Sequence, residues 1–172
     1  MWGPAVARVA ADLALAGSTN VIDVTDLEAG RKRFVQAHAK SPETPKVTMT
    51  VLAVKAVVAA LKAFPQFNAS YDAATSEVLF KRYYNIGIAV DTDQGLVVPV
   101  VRDVDRKGVF ELAAELQATA ERARNRKLGP EDLAGACFTI SSLGGIGGTA
   151  FSPIVNAPEV AILGLSKTRI SP

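Results

Sequence analysis

Residues 85–101 read NIGIAVDTDQGLVVPVV, and the parsing of this stretch decides the fold. From Asn85 to Asp91 the large apolar residues Ile86, Ile88 and Val90 alternate with Asn85, Gly87, Ala89 and Asp91, which is the two-residue period of a strand. One face is bulky and the other nearly bare. A bare face admits close approach, either by a packed helix or by a ligand in a channel. Thr92 to Gly95 supply turn residues, and Leu96 to Val101 form an almost continuous apolar run, as in a strand covered on both faces. Pro99 has no N–H to give to a ladder, so this strand is expected to be interrupted there or to lie at an edge.

Working toward the N-terminus, Glu77 to Lys81 reads as a strand and Gln66 to Ala74 as a loop. Thr50 to Ala63 reads as a helix that Pro65 stops. Lys55 and Lys62 are seven residues apart and share one face of it, a thin wet stripe on a mostly buried helix. Ser41 to Lys46 is a loop. Thr25 followed by Glu28 is a capping-box pattern that starts a helix running to about His38. Asn20 to Val24 reads as a brief strand, and Pro4 to Ala16 as a short amphipathic helix.

Toward the C-terminus, Gly108 to Arg124 is strongly periodic through Val109, Leu112, Ala113, Leu116, Ala120 and Ala123. The basic residues at its end, Arg122, Arg124, Arg126 and Lys127, complement the helix dipole, a simpler account than a nucleic-acid patch. Pro130, Glu131 and Asp132 open a short helical turn, Cys137 to Ser141 reads as a strand, and SSLGGIGG (Ser141 to Gly148) is a glycine-rich loop. Glu159 to Leu165 is the last strand. Helices and strands mix without strict alternation, so the expected class is α/β (α+β), a mixed sheet with flanking helices in one domain spanning 1–172.

The 172 residues, 49% hydrophobic and 21% charged, suit a single globular domain and exclude collagen-like, low-complexity and disordered chains. A net charge of +2 gives no footprint for nucleic acid. The apolar stretch from Val47 to Phe64 is broken by lysines, and the N-terminus lacks the pattern of a signal peptide, so no membrane association is expected. One cysteine, Cys137, forms no internal disulfide and belongs to no zinc cluster, and no metal site is expected. A reducing setting is expected, a cytoplasm or an organelle matrix.

His38 is the only histidine, which limits any Ser-His, Cys-His or His-metal chemistry within the chain. No acid lies within helical reach to orient it, and it reads as a solvated or partly packed side chain. Asp91, Asp93, Asp103 and Asp105 form no calcium loop. The loop SSLGGIGG matches neither a P-loop nor a dinucleotide loop; it is a structural glycine turn, an anion-binding module, or a source of a serine hydroxyl for an oxyanion. Arg31, Lys32 and Arg33 make either a solvated face or a meeting point for an anionic ligand.

Four blocks carry a more specific signal: DVTDLEAGRK (Asp23 to Lys32), FPQFNASYD (Phe64 to Asp72), YYNIGIAVDTDQGLVVPVVRDVDRKG (Tyr83 to Gly108) and GACFTISSLGGIGGTAFSPIVNAPEVAILGLSK (Gly135 to Lys167). Together they resemble the catalytic domain of the dihydrolipoamide acyltransferases of 2-oxo acid dehydrogenase complexes, and the last is most similar to the pyruvate-type dihydrolipoyllysine acetyltransferases. The resemblance runs from about Val21 to Pro172. It implies a fold like chloramphenicol acetyltransferase and self-association as trimers in a larger core. It also implies a channel between subunits, entered by coenzyme A from one side and by a lipoyl group from the other.

By the same resemblance a histidine is the base for the attacking thiol, and a serine matching Ser141 donates to the oxyanion. The coenzyme A contacts fall on Arg31, Thr48, Asp91, Ser142, Gly164 and Ser166. The implied activity is transfer of an acetyl group between dihydrolipoamide and coenzyme A, with lipoyl domains and other dehydrogenase-complex subunits as partners. The family's Asp-His-Arg motif does not occur in these 172 residues and His38 does not match it, so the chain is expected to be a C-terminally incomplete domain that is inactive by itself. No lipoyl or peripheral-subunit-binding domain is expected within residues 1–172. The alternative is a non-catalytic core or assembly protein of the same fold.

Overall fold

The computed structural model describes residues 17–38, 44–72, 74–143 and 151–169. The expected helix over Pro4 to Ala16 and the glycine run from Gly144 lie outside these residues. Three helices are described: α1 (Thr25–His38), α2 (Met49–Ala63) and α3 (Val109–Arg124). The strands are β1 (Ala69–Asp72), β2 (Glu77–Phe80), β3 (Ile86–Ile88), β4 (Val90–Thr92), β5 (Gly95–Val97), β6 (Val100–Val101), β7 (Phe138–Ser142) and β8 (Ile162–Leu165).

The central sheet has the order β6-β3-β7-β8, with β3 antiparallel to β6 and parallel to β7, and β7 parallel to β8. It is mixed, as expected. β1 with β2 and β4 with β5 form two separate antiparallel hairpins. The strand expected over Leu96 to Val101 is broken at Pro99, whose carbonyl accepts from the Ile88 N–H at 2.9 Å. Proline thus enters the pairing as an acceptor only.

Val51, Val54, Val58 and Leu61 recur at helical spacing on α2 and are all buried. They share one core with Ile86, Ile88, Val101, Leu112, Phe138 and Ile140 from the sheet and α3. Thr48 caps α2, its hydroxyl accepting from Val51 N at 3.4 Å, and Pro65 begins a 3-10 turn that ends it.

Four local expectations are corrected. Asn20 to Val24 is not a strand: the segment has no ladder partner among the described residues, and Val21 and Ile22 are exposed. Thr25 and Glu28 do not form a capping box; Asp23 Oδ1 accepts from Thr25 N at 2.9 Å, and Glu28 turns to Arg31 instead. The loop expected over Gln66 to Ala74 contains β1, because Ala69 and Ser70 are buried and pair with Phe80 and Leu79. The lysine stripe of α2 is not simply wet. Lys55 Nζ donates to the carbonyls of Val104 (3.2 Å) and Lys107 (2.8 Å), and Lys62 lies over the Tyr84 ring, 3.8 Å from Asp105.

Both lysines therefore hold the turn after β6, and that turn is fixed a second time by Asn85. Asn85 Oδ1 accepts from Asp103 N at 3.0 Å, where Asp103 takes a positive φ of 48°, and its Nδ2 donates to the Gly135 carbonyl at 3.2 Å. Its own carbonyl accepts from Cys137 N at 2.9 Å. One buried amide thus joins the entrance of β3, the exit of β6 and the approach to β7. Asn85→Ala removes two part-buried hydrogen bonds, from the Asp103 N–H and to the Gly135 carbonyl, so its unfolding free energy in urea should fall by about 1–3 kcal/mol. A loss below about 0.5 kcal/mol would show that the amide is dispensable.

Candidate functional site

Because β3, β7 and β8 are parallel, the residues following each of them emerge at one edge of the sheet, and open sheets present ligands at the carboxyl ends of their strands. Ala89, just after β3, donates to the Ile140 carbonyl at 2.9 Å and keeps the two chains together as far as Ser141. Ser141 lies opposite Gly164 and Ser142 opposite Leu165, and the Leu143 N–H continues the pairing to the Leu165 carbonyl at 2.9 Å. Both serines are half-buried, whereas Ser166, the next residue along, is exposed. Successive strand residues face opposite ways, so the carboxyl end of β7 presents one hydroxyl on each face of the sheet, Ser141 on the face of Thr139.

The glycines beside β7 leave less room than the sequence suggests. A Cβ on Gly87 would lie 2.8 Å from Thr139 Oγ1 and 2.9 Å from Val98 Cγ1, so the bare face of this strand is filled by those side chains. At Gly87 that face is packed, and the packing comes from a strand and a loop instead of a helix. A Cβ on Gly164 would lie 3.0 Å from the Phe151 ring, so that residue offers a ligand only its backbone.

A second group surrounds a depression of about 310 Å³ lined by Glu28, Arg31, Thr48, Met49 and Thr168. Arg31 donates from Nε and Nη2 to the two Glu28 oxygens at 2.7 and 2.6 Å, and from Nη1 to the Val47 carbonyl at 2.7 Å. The pairing holds the Glu28 carboxyl below its ordinary range, through the Arg31 hydrogen bond above all, and raises the Arg31 guanidinium. Thr48, exposed at the N-terminus of α2, adds a hydroxyl, and Thr168 stands two residues beyond Ser166. The tail of β8 thus leads from the serine edge to the arginine.

Asp91 is exposed on the β4–β5 hairpin opposite Leu96, at the same end of the sheet, but is not among the residues lining the arginine depression. His38 is elsewhere: its Nδ1 lies 2.8 Å from the Phe34 carbonyl, and its ring packs at 4.3 Å from Phe34 and 5.7 Å from Phe110. Exposed yet stacked on these rings, it fits the solvated or partly packed side chain expected. Among the described residues no group of three or more His, Cys, Asp or Glu is placed to hold a metal, and no helix is long and apolar enough to cross a membrane.

Glu159 was not singled out by sequence, although an acid next to an apolar strand after a proline was the available signal. It is 3% exposed, its Oε1 accepts from Thr139 Oγ1 at 3.0 Å, and its Oε2 has no partner among the described residues. Burial pushes its carboxyl up, against the pull of Thr139 and Lys81. Thr139 shares a face of β7 with Ser141, two residues on, so this acid anchors the approach to β8 against the strand that carries the serine. Cys137 is also buried, its thiol donating to the Asn85 carbonyl at 3.1 Å and pushed up by desolvation.

The family model described as 2-oxoacid dehydrogenases acyltransferase (catalytic domain) matches residues 6–172. The dihydrolipoyllysine-residue acetyltransferase component of the Haemophilus influenzae pyruvate dehydrogenase complex is 52% identical over 150 residues, covering 87% of this chain and 26% of that protein. The same component from Bacillus subtilis is 49% identical over 146 residues, 85% of this chain and 33% of that protein. The chain thus spans about a quarter to a third of the length of these curated relatives.

Among solved structures, Azotobacter vinelandii dihydrolipoamide acetyltransferase, in whose mechanism a serine, a histidine and an asparagine have been investigated, superposes with a TM-score of 0.91 at 47% identity. It covers 97% of this chain and 68% of that one. The cubic core of the pyruvate dehydrogenase multienzyme complex superposes with a TM-score of 0.90 at 47% identity, with the same coverage.

The buried acid makes stability depend on pH with a definite sign. A carboxyl whose folded pKa lies above its unfolded value binds its proton more tightly in the native state. Its contribution is therefore complete below the ordinary glutamate range and is lost as pH rises from about 4.5 through the raised folded value. Glu159→Gln keeps an acceptor for Thr139 and removes the titration. Its urea midpoint should match that of the unsubstituted protein at pH 4 and exceed it increasingly toward pH 8; parallel pH profiles would show that Glu159 carries no such linkage.

Proposed function

The chain belongs to the 2-oxoacid dehydrogenase acyltransferase family, within the catalytic domain, and from that premise we propose that it moves an acetyl group between dihydrolipoamide and coenzyme A as part of a pyruvate dehydrogenase complex. The observation that carries this reading is the pairing of Ser141 with Gly164 at the carboxyl ends of β7 and β8, and the β8 tail whose Thr168 shares a depression with Arg31 and Thr48. Coenzyme A is a long ligand with phosphates at one end and a thiol at the other. An arginine near one end of the β8 tail and the Ser141 hydroxyl near the other suit that distribution.

In the reaction a thiolate adds to the acyl carbonyl, the carbonyl electrons move to its oxygen, and the tetrahedral adduct collapses with departure of the other thiolate. Ser141 donates its hydroxyl to that oxyanion, a contribution typically of about 3–4 kcal/mol to the barrier. Arg31, Thr48, Asp91, Ser142, Gly164 and Ser166 form the coenzyme A wall: Arg31 offers charge-assisted bonds to phosphate, and Gly164 offers main-chain groups. The thiol proton goes to a base. His38 is held by Phe34 at the end of α1, so we assign that role to a group outside the described residues. The lipoyl group arrives on a separate domain, and the chain self-associates as trimers within a larger core in a bacterial cytoplasm; the cubic core of the similar structure supports the self-association.

Calorimetric titration tests the reading. The protein should bind coenzyme A; Arg31→Ala should weaken binding about tenfold or more, through loss of bonds to a charged group, and Ser141→Ala should leave it within about twofold. In an assembly that turns over, Ser141→Ala should lower kcat by about a hundredfold or more. Failure of the unsubstituted protein to bind coenzyme A would overturn the assignment.

A further inference from the structure

We propose that Glu28 is a positioning residue for the anion-binding arginine, and that it strengthens binding of a phosphate-bearing ligand although its own charge opposes one. The inference rests on the coenzyme A reading of the depression around Arg31. Three of the five N–H groups of the guanidinium are engaged: Nε–H and one Nη2–H by the two Glu28 oxygens, and one Nη1–H by the Val47 carbonyl. The remaining two, one on each terminal nitrogen, have no partner among the described residues. The fork is therefore gripped along its inner edge from two directions, by α1 and by the residue preceding the α2 cap.

Side-chain exposure is 22% for Arg31 and 28% for Glu28, so the pair is partly withdrawn from water and less screened than an ion pair on an open helix face. Lys32, 3.8 Å from Glu28 and 65% exposed, cannot supply the same constraint. Without Glu28, the arginine must give up rotamer freedom each time a phosphate binds. Immobilising one such side chain corresponds to about three- to tenfold in affinity. Glu28 completes that ordering before the ligand arrives.

Coulomb interaction alone predicts the opposite sign, because Glu28 lines the depression and its removal makes the wall more positive. The two accounts separate in one calorimetric experiment on the full chain, with coenzyme A as the phosphate-bearing probe and pantetheine as the probe without phosphate. The expected result is that Glu28→Ala weakens coenzyme A binding three- to tenfold and leaves pantetheine binding unchanged. Glu28→Gln, which keeps one acceptor for the guanidinium, should fall between the alanine variant and the unsubstituted protein. In an Arg31→Ala background the Glu28→Ala change should have no further effect, a coupling that a merely structural loss would not produce.

Coenzyme A binding by Glu28→Ala that is equal to or tighter than that of the unsubstituted protein would overturn the proposal while leaving the coenzyme A reading intact. Equal weakening of both probes, or an undiminished effect in the Arg31→Ala background, would also overturn it by marking Glu28 as a general support of the fold. Absence of coenzyme A binding by the unsubstituted protein would overturn both.

Discussion

The side chain of Asn85 joins segments that sequence order keeps apart: Asp103 beyond β6 and Gly135 before β7, with its own carbonyl taking the Cys137 N–H. A buried amide with a fixed donor end and a fixed acceptor end accepts one arrangement of its neighbours and not its reverse. It thereby sets where β3 begins between its antiparallel and its parallel partner. The parallel register that follows brings Ser141 to the same edge as Ala89 and Asp91, and carries Gly164 and Ser166 alongside. Hydrophobic burial of Ile86, Ile140 and Val101 makes such a sheet stable; the amide selects this one among apolar alternatives that burial would reward equally.

Much of this was legible from the order of residues. The alternation over Asn85 to Asp91, the interruption at Pro99 and the strong period of α3 each follow from short-range chemistry, and the structure has them. What was not legible depended on distant partners. Ala69 to Asp72 is a strand because Glu77 to Phe80 lies beside it, whereas Val21 and Ile22, apolar and β-branched, have no strand beside them among the described residues and are coil. Lys55 and Lys62 were read as facing water because their acceptors, the carbonyls and carboxylate of the turn after β6, are more than forty residues away.

The site shows the same division. Its residue types were visible, in the serine pair and in Arg31, but their electrostatic surroundings were not. The spacing of Glu28 and Arg31 is that of an ordinary helix pair, usually worth a few tenths of a kcal/mol; only the third contact, to Val47 on another element, makes it a clamp. Glu159 is the extreme case. An acid within an apolar segment suggests a solvated edge, and the structure instead encloses it against Thr139. Such a group is costly to bury, and its position below the serine strand explains why the fold accommodates it there.

Gly87 and Gly164 flank β7 on its two sides, opposite Thr139 and Ser141, and each already faces another side chain of the same chain. At these two positions an added methyl group would lie within 3.0 Å of a neighbouring side chain. A ligand at this edge therefore rests on a backbone floor with two fixed points, and the space above Ser141 is set by whatever faces it from the other side.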